Sequence, residues 1–395
     1  MGKPRWFLAD LRSGRRLLDL PVLTGRWQRF LNRPETLTCM LDMQDPDVIQ
    51  LRPRIAAAPA RSILACAVDD VVLAAGPVWA QQYTRTAKTL QLTAMGMWSY
   101  FDHRYVLPVV ASTVSVSQFA VPDTTAAGKT KPNPAVGTYL TGLEYGTIAK
   151  RWVQQARAWT SGDVPIVFEA DRAGTHERNF EGADFKNIGT VLTQLSQIEN
   201  GPDIRFRPRL TPDMLGIEFL LETGTDAAPL LAGGTHLWDL TAPASPVSNF
   251  SIDVDGTQMA SIAWATAGRS ADTVLVARAT DRTLTDAGYP LLETLDSSHT
   301  TVSEQATLNG WANEAAVLGR RPVETWDFDV EANSRPYVGS FWEGDWCEIR
   351  SAAYDPATGI GDPYLIEKQA SQRRITYLSG DQDGLVVSVK TMERV

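Results

Sequence analysis

Alternation of apolar and polar positions is clearest near the two ends of the chain. Leu37, Cys39, Leu41 and Met43 alternate with Thr36, Thr38 and Asp42, the period-2 pattern of a strand buried on one face. Trp326, Phe328 and Val330 alternate with Asp327 and Asp329 in the same way. Residues 61–95 read as a meander: a strand over 61–68, a tight Asp69-Asp70 link, a strand over 71–75, a break at Gly76-Pro77, then strands over 78–83 and 88–95. In the last of these Leu90, Leu92 and Ala94 share one face and Thr89, Gln91 and Thr93 the other. Short strands at this spacing predict a small barrel or sandwich, with Trp98, Tyr100, Phe101 and Tyr105 plugging one end.

The middle of the chain changes character. Residues 122–137 carry Pro122, Gly128, Pro132, Pro134 and Gly137 with few large apolar groups and read as a linker. Beyond it Ile148, Trp152, Ala156 and Trp159 recur at helical spacing. A stronger stripe of Ile188, Val191, Leu192, Leu195 and Ile198 predicts a helix over 187–198, stopped by Gly201-Pro202. Strands over 204–207 and 215–222 follow, and then a Gly-, Ala- and Pro-rich connector over 224–246.

A second strand series begins with Phe250, Ile252 and Val254, and residues 259–265 and 273–279 read as a hairpin over Gly268. Leu308, Trp311, Ala312, Ala315 and Leu318 predict an inserted helix over about 301–319, with Thr301 and Glu304 as its capping box and Gly319 as its stop. Its stripe matches that of 187–198, and any core-facing helix would show it. Strands over 323–330, 346–350, 364–370, 374–378 and 385–392 complete a closed or nearly closed antiparallel sheet, which removes exposed edges. The expected fold is mainly β: two small antiparallel β-barrel domains, 1–121 and 247–395, bracket an α+β domain over 138–223.

Composition narrows the function. With 46 acidic against 37 basic side chains the net charge is −9, a balance that disfavours a duplex-binding surface built of Lys and Arg on phosphate. The dense basic clusters, 12–16 and 205–209, read as solvated faces of strands or helices. Cys39, Cys66 and Cys347 sit in apolar contexts without CxxC spacing and read as buried free thiols. Charges interrupt every apolar pair in residues 1–20, so no signal peptide is expected, and the run 71–80 falls short of a membrane span.

Candidate chemistry is thin. Gly128-Lys129-Thr130 resembles the end of a phosphate loop, but the pattern needs glycine where Asp123 stands, and Pro132 and Pro134 oppose the helix that must follow. His103, His176, His236 and His299 are scattered without metal-ligand spacing. His176 with Glu177, Asp171 and Asp184 reads as a polar loop, and Ser270 lacks the second glycine of a nucleophile elbow. Asp327 and Asp329 stand roughly 6–7 Å apart by strand rise, close to the range of paired glycosidase carboxylates. The wet face of a half-buried strand explains them more simply. No catalytic, metal or cofactor site is expected, and the chain is not expected to be an enzyme.

The order of elements resembles the baseplate hub or minor tail proteins of long-tailed bacteriophages. Residues 25–31 before the strand at 36–43, the Asp45-Pro46-Asp47 turn, the break between Val71 and Val78, and the run from Leu90 through Trp98 to Pro108 carry it. The Gly344-Asp345-Trp346 turn and the last hairpin through Asp383-Gly384 carry it at the other end. The resemblance implies a homotrimer whose tail-tube-like barrels form a ring of six around a channel, with the middle domain outside. It implies as partners the tail tube and distal tail proteins, other baseplate proteins and the tape measure protein, with DNA passing the lumen without specific binding. It also implies a place in the virion after assembly in the host cytoplasm, and no peptidase or glycosidase extension. Two rivals remain: a cell-wall glycan-binding module using exposed aromatics, and, more weakly, a cell-wall hydrolase.

Overall fold

The computed structural model describes residues 2–111, 118–126, 128–198, 200–231, 233–267, 275–299, 305–359, 361–365 and 369–393. Strands dominate it. The first module holds β1 (Arg5–Asp10), β2 (Arg16–Leu20), β3 (Thr24–Phe30), β4 (Thr36–Asp42), the short helices α1 (Pro46–Gln50) and α2 (Pro53–Ala56), β5 (Ser62–Val68), β6 (Val71–Thr84) and β7 (Thr89–Met95). Their spatial order is β3-β4-β7-β6-β5-β1-β2, antiparallel throughout. Asp69, at φ 49°, makes the tight link between β5 and β6.

Gly76-Pro77 does not break the strand, as the sequence suggests; β6 runs through both residues. The pair marks a change of partner, since Pro77 is the last residue of β6 to face β5 and Val78 the first to face β7. A Cβ on Gly76 would lie 1.8 Å from the Met95 carbonyl oxygen, so only glycine lets the two strands cross so closely. β5 is buried along its whole length. Leu64, Cys66 and Val68 enter one hydrophobic core, while Ile63, Ala65 and Ala67 enter another on the opposite face, which accounts for a continuous apolar run instead of an alternating one.

That second core belongs largely to the middle of the chain. The pairs there are β8 (Ala120–Pro122) with β9 (Thr130–Pro132), and β10 (Thr138–Leu143) with β12 (His176–Phe180), while β11 (Ile166–Phe168) joins the hairpin of β13 (Ile204–Leu210) and β14 (Ile217–Thr223). The helices are α3 (Tyr145–Arg157) and α4 (Ile188–Ser196). Asn187 caps α4, its Oδ1 accepting from the Thr190 N–H at 2.9 Å. Their apolar stripes, Ile148, Trp152, Ala156 and Ile188, Val191, Leu192, Leu195, pack on the outer face of β1 and β5. Trp98 and Phe101 belong to this core as well. Their short 3-10 helix, Met97–His103, contacts Phe206 of β13 at 6.0 and 5.4 Å between ring centres, so the aromatic knot joins the first module to the middle and does not plug a barrel end.

The stretch read as a plain connector contains a strand, β15 (Thr235–Asp239), paired in parallel with β21 (Trp346–Ser351). Trp238 is its anchor, buried and edge-on to Phe328 and Phe341. β16 (Val247–Asp255) follows, and the chain then leaves for a small separate unit: β17 (Ile262–Ala267), β18 (Val276–Thr280), α5 (Thr283–Asp286), β19 (Glu293–His299) and α6 (Gln305–Gly319). The inserted helix therefore brings its own sheet, ordered β18-β17-β19. Alanines 263, 265, 277, 279, 312 and 316 with Leu308 form its core, and such small side chains let the helix lie close on the strands. The turn at Gly268, Ser270 and the Thr301–Glu304 box lie outside the described residues.

The last module adds β20 (Val323–Glu331), β21, β22 (Gln369–Asp381) and β23 (Val386–Glu393) in the order β16-β20-β23-β22, with β21 and β15 branching from β22. The strands expected at 364–370 and 374–378 are replaced by the single long β22. Both modules belong to one 13-stranded sheet, because β22 pairs with β3. Their inner faces share one core, in which Trp27, Leu37, Cys39 and Leu41 lie with Trp326, Phe328, Val330 and Ile375.

Candidate functional site

The two modules join where β22 pairs with β3. Tyr377, Leu378, Ser379, Gly380 and Asp381 face Phe30, Arg29, Gln28, Trp27 and Arg26. Phe30 and Tyr377 meet at 5.1 Å, and Gln28 Nε2 donates to Tyr377 Oη at 2.8 Å. Gly380 lies under the Trp27 ring, where a Cβ would come within 2.9 Å of it.

Behind this pairing lies a buried ion network. Arg29 is 1 % exposed. Its Nε and Nη2 donate to the two oxygens of Glu343, each at 2.7 Å, its Nη1 donates to the Leu73 carbonyl, and its Cζ lies over the Trp342 ring, 4.1 Å from the ring centre. Glu35 stands 3.6 Å from the same guanidinium and accepts from the Ala75 N–H at 3.1 Å. Arg205 of β13 pairs with Glu222 at 2.7 Å and donates to the Glu343 carbonyl at 2.7 Å. Asp203 accepts from Asn32 Nδ2 at 2.9 Å, from the Leu231 N–H at 2.8 Å and from Arg374 of β22. Residues from the first module, the middle and the last module thus meet in one set of charges.

Burial would lower the Arg29 pKa, but Glu343 and Glu35 outweigh it and hold the guanidinium above its ordinary value. Glu35 fares differently. Desolvation pushes its carboxyl up to about 7 despite Arg29, because Glu343 holds the bidentate position and repels a second charge. A buried ion set of this kind adds little net stability, yet removing one member strands the others. Its chemistry fixes how segments sit together; it offers no open group for a substrate.

Of the other candidates from the sequence, only the 205–209 cluster touches this network, through Arg205. Arg205, Arg207 and Arg209 form a ladder with Glu222 and Glu218 on β14 at 2.7 to 2.8 Å, so they are matched by carboxylates. Asp327 pairs with Lys390, and Asp329 accepts from Asn249 and Ser388, on the wetter face of β20. His176 stacks on Tyr145 at 3.6 Å and pairs with Asp226 at 3.1 Å, whereas Asp171 serves Lys150 and Arg151. His103 lies against Trp79, and His236 contacts Asp345 at 3.2 Å. The side chain of His299 lies outside the described residues. Gly128, Lys129 and Thr130 belong to the β8–β9 hairpin. Among the described residues no three His, Cys, Asp or Glu converge as metal ligands. Cys39, Cys66 and Cys347 are free and buried, and desolvation pushes the first and last thiols up to about 12. No helix among the described residues is long and apolar enough to cross a membrane.

The network was missed from sequence because its members are far apart in the chain. One local signal existed: Arg29 lies two residues from Trp27, on the face that a strand buries.

No family model and no curated protein matches the chain. Solved structures do. The tail protein from Neisseria meningitidis MC58 superposes with a TM-score of 0.53 at 14 % identity, over 98 % of this chain and 96 % of that one. The 43 kDa tail protein of prophage MuSo2 from Shewanella oneidensis gives 0.54 at 12 % identity, over 99 % and 98 %. From end to end, this chain has the fold of phage tail proteins.

Proposed function

We propose that this chain is a structural part of a phage-type tail tip, a hub that adapts the tail tube to the tip and lines a passage for DNA. The observation that carries the reading is the tandem module: one polypeptide places two copies of a strand arrangement side by side in one sheet, within a fold shared with tail proteins. A part built that way serves as repeated wall. Three copies would make a ring of six modules, formed by 1–121 and 247–395, closed as barrels, with 138–223 outside and 122–137 and 224–246 as joints. Tail tube and distal tail proteins lie above it, other baseplate proteins below, and the tape measure protein and then DNA occupy the lumen. An acidic chain of net charge −9 suits a wall along which phosphate slides without sticking. The role is steric and electrostatic, and the virion tail tip is its place. Native mass spectrometry with electron microscopy of the purified protein tests this. Threefold rings with a hole wide enough for duplex DNA are expected, and a compact monomer at every concentration contradicts the reading.

A further inference from the structure

Three aromatic rings form a row on the surface where the end of the first module meets the middle of the chain. Phe185 stands between Tyr105 and Phe119, with ring centres at 6.0 and 5.4 Å. Tyr105 meets Phe185 at 90° and Phe119 meets it at 36°, so the rings turn a corner and do not share one plane. Tyr105 is 49 % exposed and Phe185 48 %, while Phe119 is half-buried.

The backbone holds this row against its own preference. Phe185 follows the 3-10 turn Gly182–Asp184 with φ 43° and ψ 48°, the left-handed region in which a side chain crowds the following carbonyl and which glycine enters freely. About half of its ring stays in water, so packing alone does not account for phenylalanine at this position. The neighbours are fixed in place. The Val106 N–H donates to the Lys186 carbonyl at 2.8 Å and the Ile188 N–H to the Arg104 carbonyl at 2.9 Å, which sets Tyr105 opposite Asn187. On the other side the Asn133 N–H donates to the Phe119 carbonyl at 3.0 Å, and Asn133 Nδ2 donates to the Gln118 carbonyl at 2.7 Å. Strain kept at an exposed and otherwise rigid position points to binding.

Size and chemistry narrow the ligand. Aromatic side chains bring about 150–250 Å² each, so three rings half covered offer roughly 300 Å², well short of the roughly 800 Å² per partner that a stable protein interface buries. Asp184 and Lys186 flank Phe185 in the chain, the first exposed and the second partly so. A small ligand with an apolar face and a polar rim fits such a surface. The C–H face of a sugar ring lies against the negative face of an aromatic ring, and its hydroxyls suit a carboxylate and an ammonium at the edge. We propose that Tyr105, Phe185 and Phe119 form a stacking platform for a glycan. The platform goes beyond the hub reading and does not depend on it; that reading sets the segment carrying Phe185 outside the ring, where a glycan has access.

The purified chain probed against an array of bacterial O-antigen, capsular and peptidoglycan oligosaccharides tests this, with calorimetric titration of a bound oligosaccharide. The wild type is expected to bind, and Phe185→Gly to bind about tenfold more weakly or worse. The thermal midpoint of that variant should stay within about 2 °C of wild type, because glycine relieves the left-handed backbone while it gives up the ring contacts. Phe119→Ala should weaken binding as well. Tyr364→Ala, which removes a ring 67 % exposed in the last module, should leave it unchanged. Binding to no oligosaccharide, or binding that survives Phe185→Gly, would overturn the platform and leave the assembly reading intact. A midpoint lowered by about 5 °C or more would overturn it too, since Phe185 would then serve packing.

Discussion

Glu35→Gln isolates the seam carboxyl whose pKa burial raises. The substitution keeps the shape of the side chain and an oxygen to accept from the Ala75 N–H, and it removes the titration. In the folded chain Glu35 has its pKa pushed up to about 7 from an ordinary 4.5, first by desolvation and then, against Arg29, by the neighbouring Glu343. Between those two values the folded chain holds a proton that the unfolded chain has released, so stability falls as pH rises through that window. At about 1.4 kcal/mol per tenfold, the gap corresponds to about 3 kcal/mol, present below pH 4.5 and lost above about 7. Urea midpoints read by tryptophan fluorescence, at fixed protein concentration from pH 4.5 to 8, give the difference between the two proteins. The wild type is expected to lose about 3 kcal/mol relative to Glu35→Gln across the range. A difference that stays constant to within about 0.5 kcal/mol would refute the argument that Glu343 and burial together keep Glu35 neutral.

Three further substitutions probe the parts around it. Arg29→Met leaves Glu343 and Glu35 buried without their shared cation and is expected to cost about 3–5 kcal/mol in chemical denaturation. Trp326→Ala opens a hole where a residue 1 % exposed packs under Arg373 and beside Phe250, for a loss of about 3–5 kcal/mol. Asn187→Ala removes the cap of α4, so about 1 kcal/mol should be lost in the same denaturation measurement.

Local pattern made much of the fold legible. The strands around Leu37 and Trp326 carry the alternation that half-burial imposes, and α3, α4 and α6 carry core-facing stripes. What could not be read is long-range pairing. Nothing near Tyr377 signals that it lies against Phe30, and nothing near Thr235 signals a parallel partner at Trp346. Gly76-Pro77 carried a real signal with more than one meaning: strand ends and partner switches both require a residue that tolerates close backbone approach. The repeat was visible in part, in the two alternating strands themselves. The matching helical stripes at 188 and 308 proved a poor guide to it, since α4 packs on the first module and α6 on its own small sheet.

A strand-resolving reconstruction of the assembled protein tests the central claim most directly. The account requires three copies arranged as a ring of six modules around an open passage. Copies assembled without a threefold arrangement, or around no passage wide enough for duplex DNA, would contradict it.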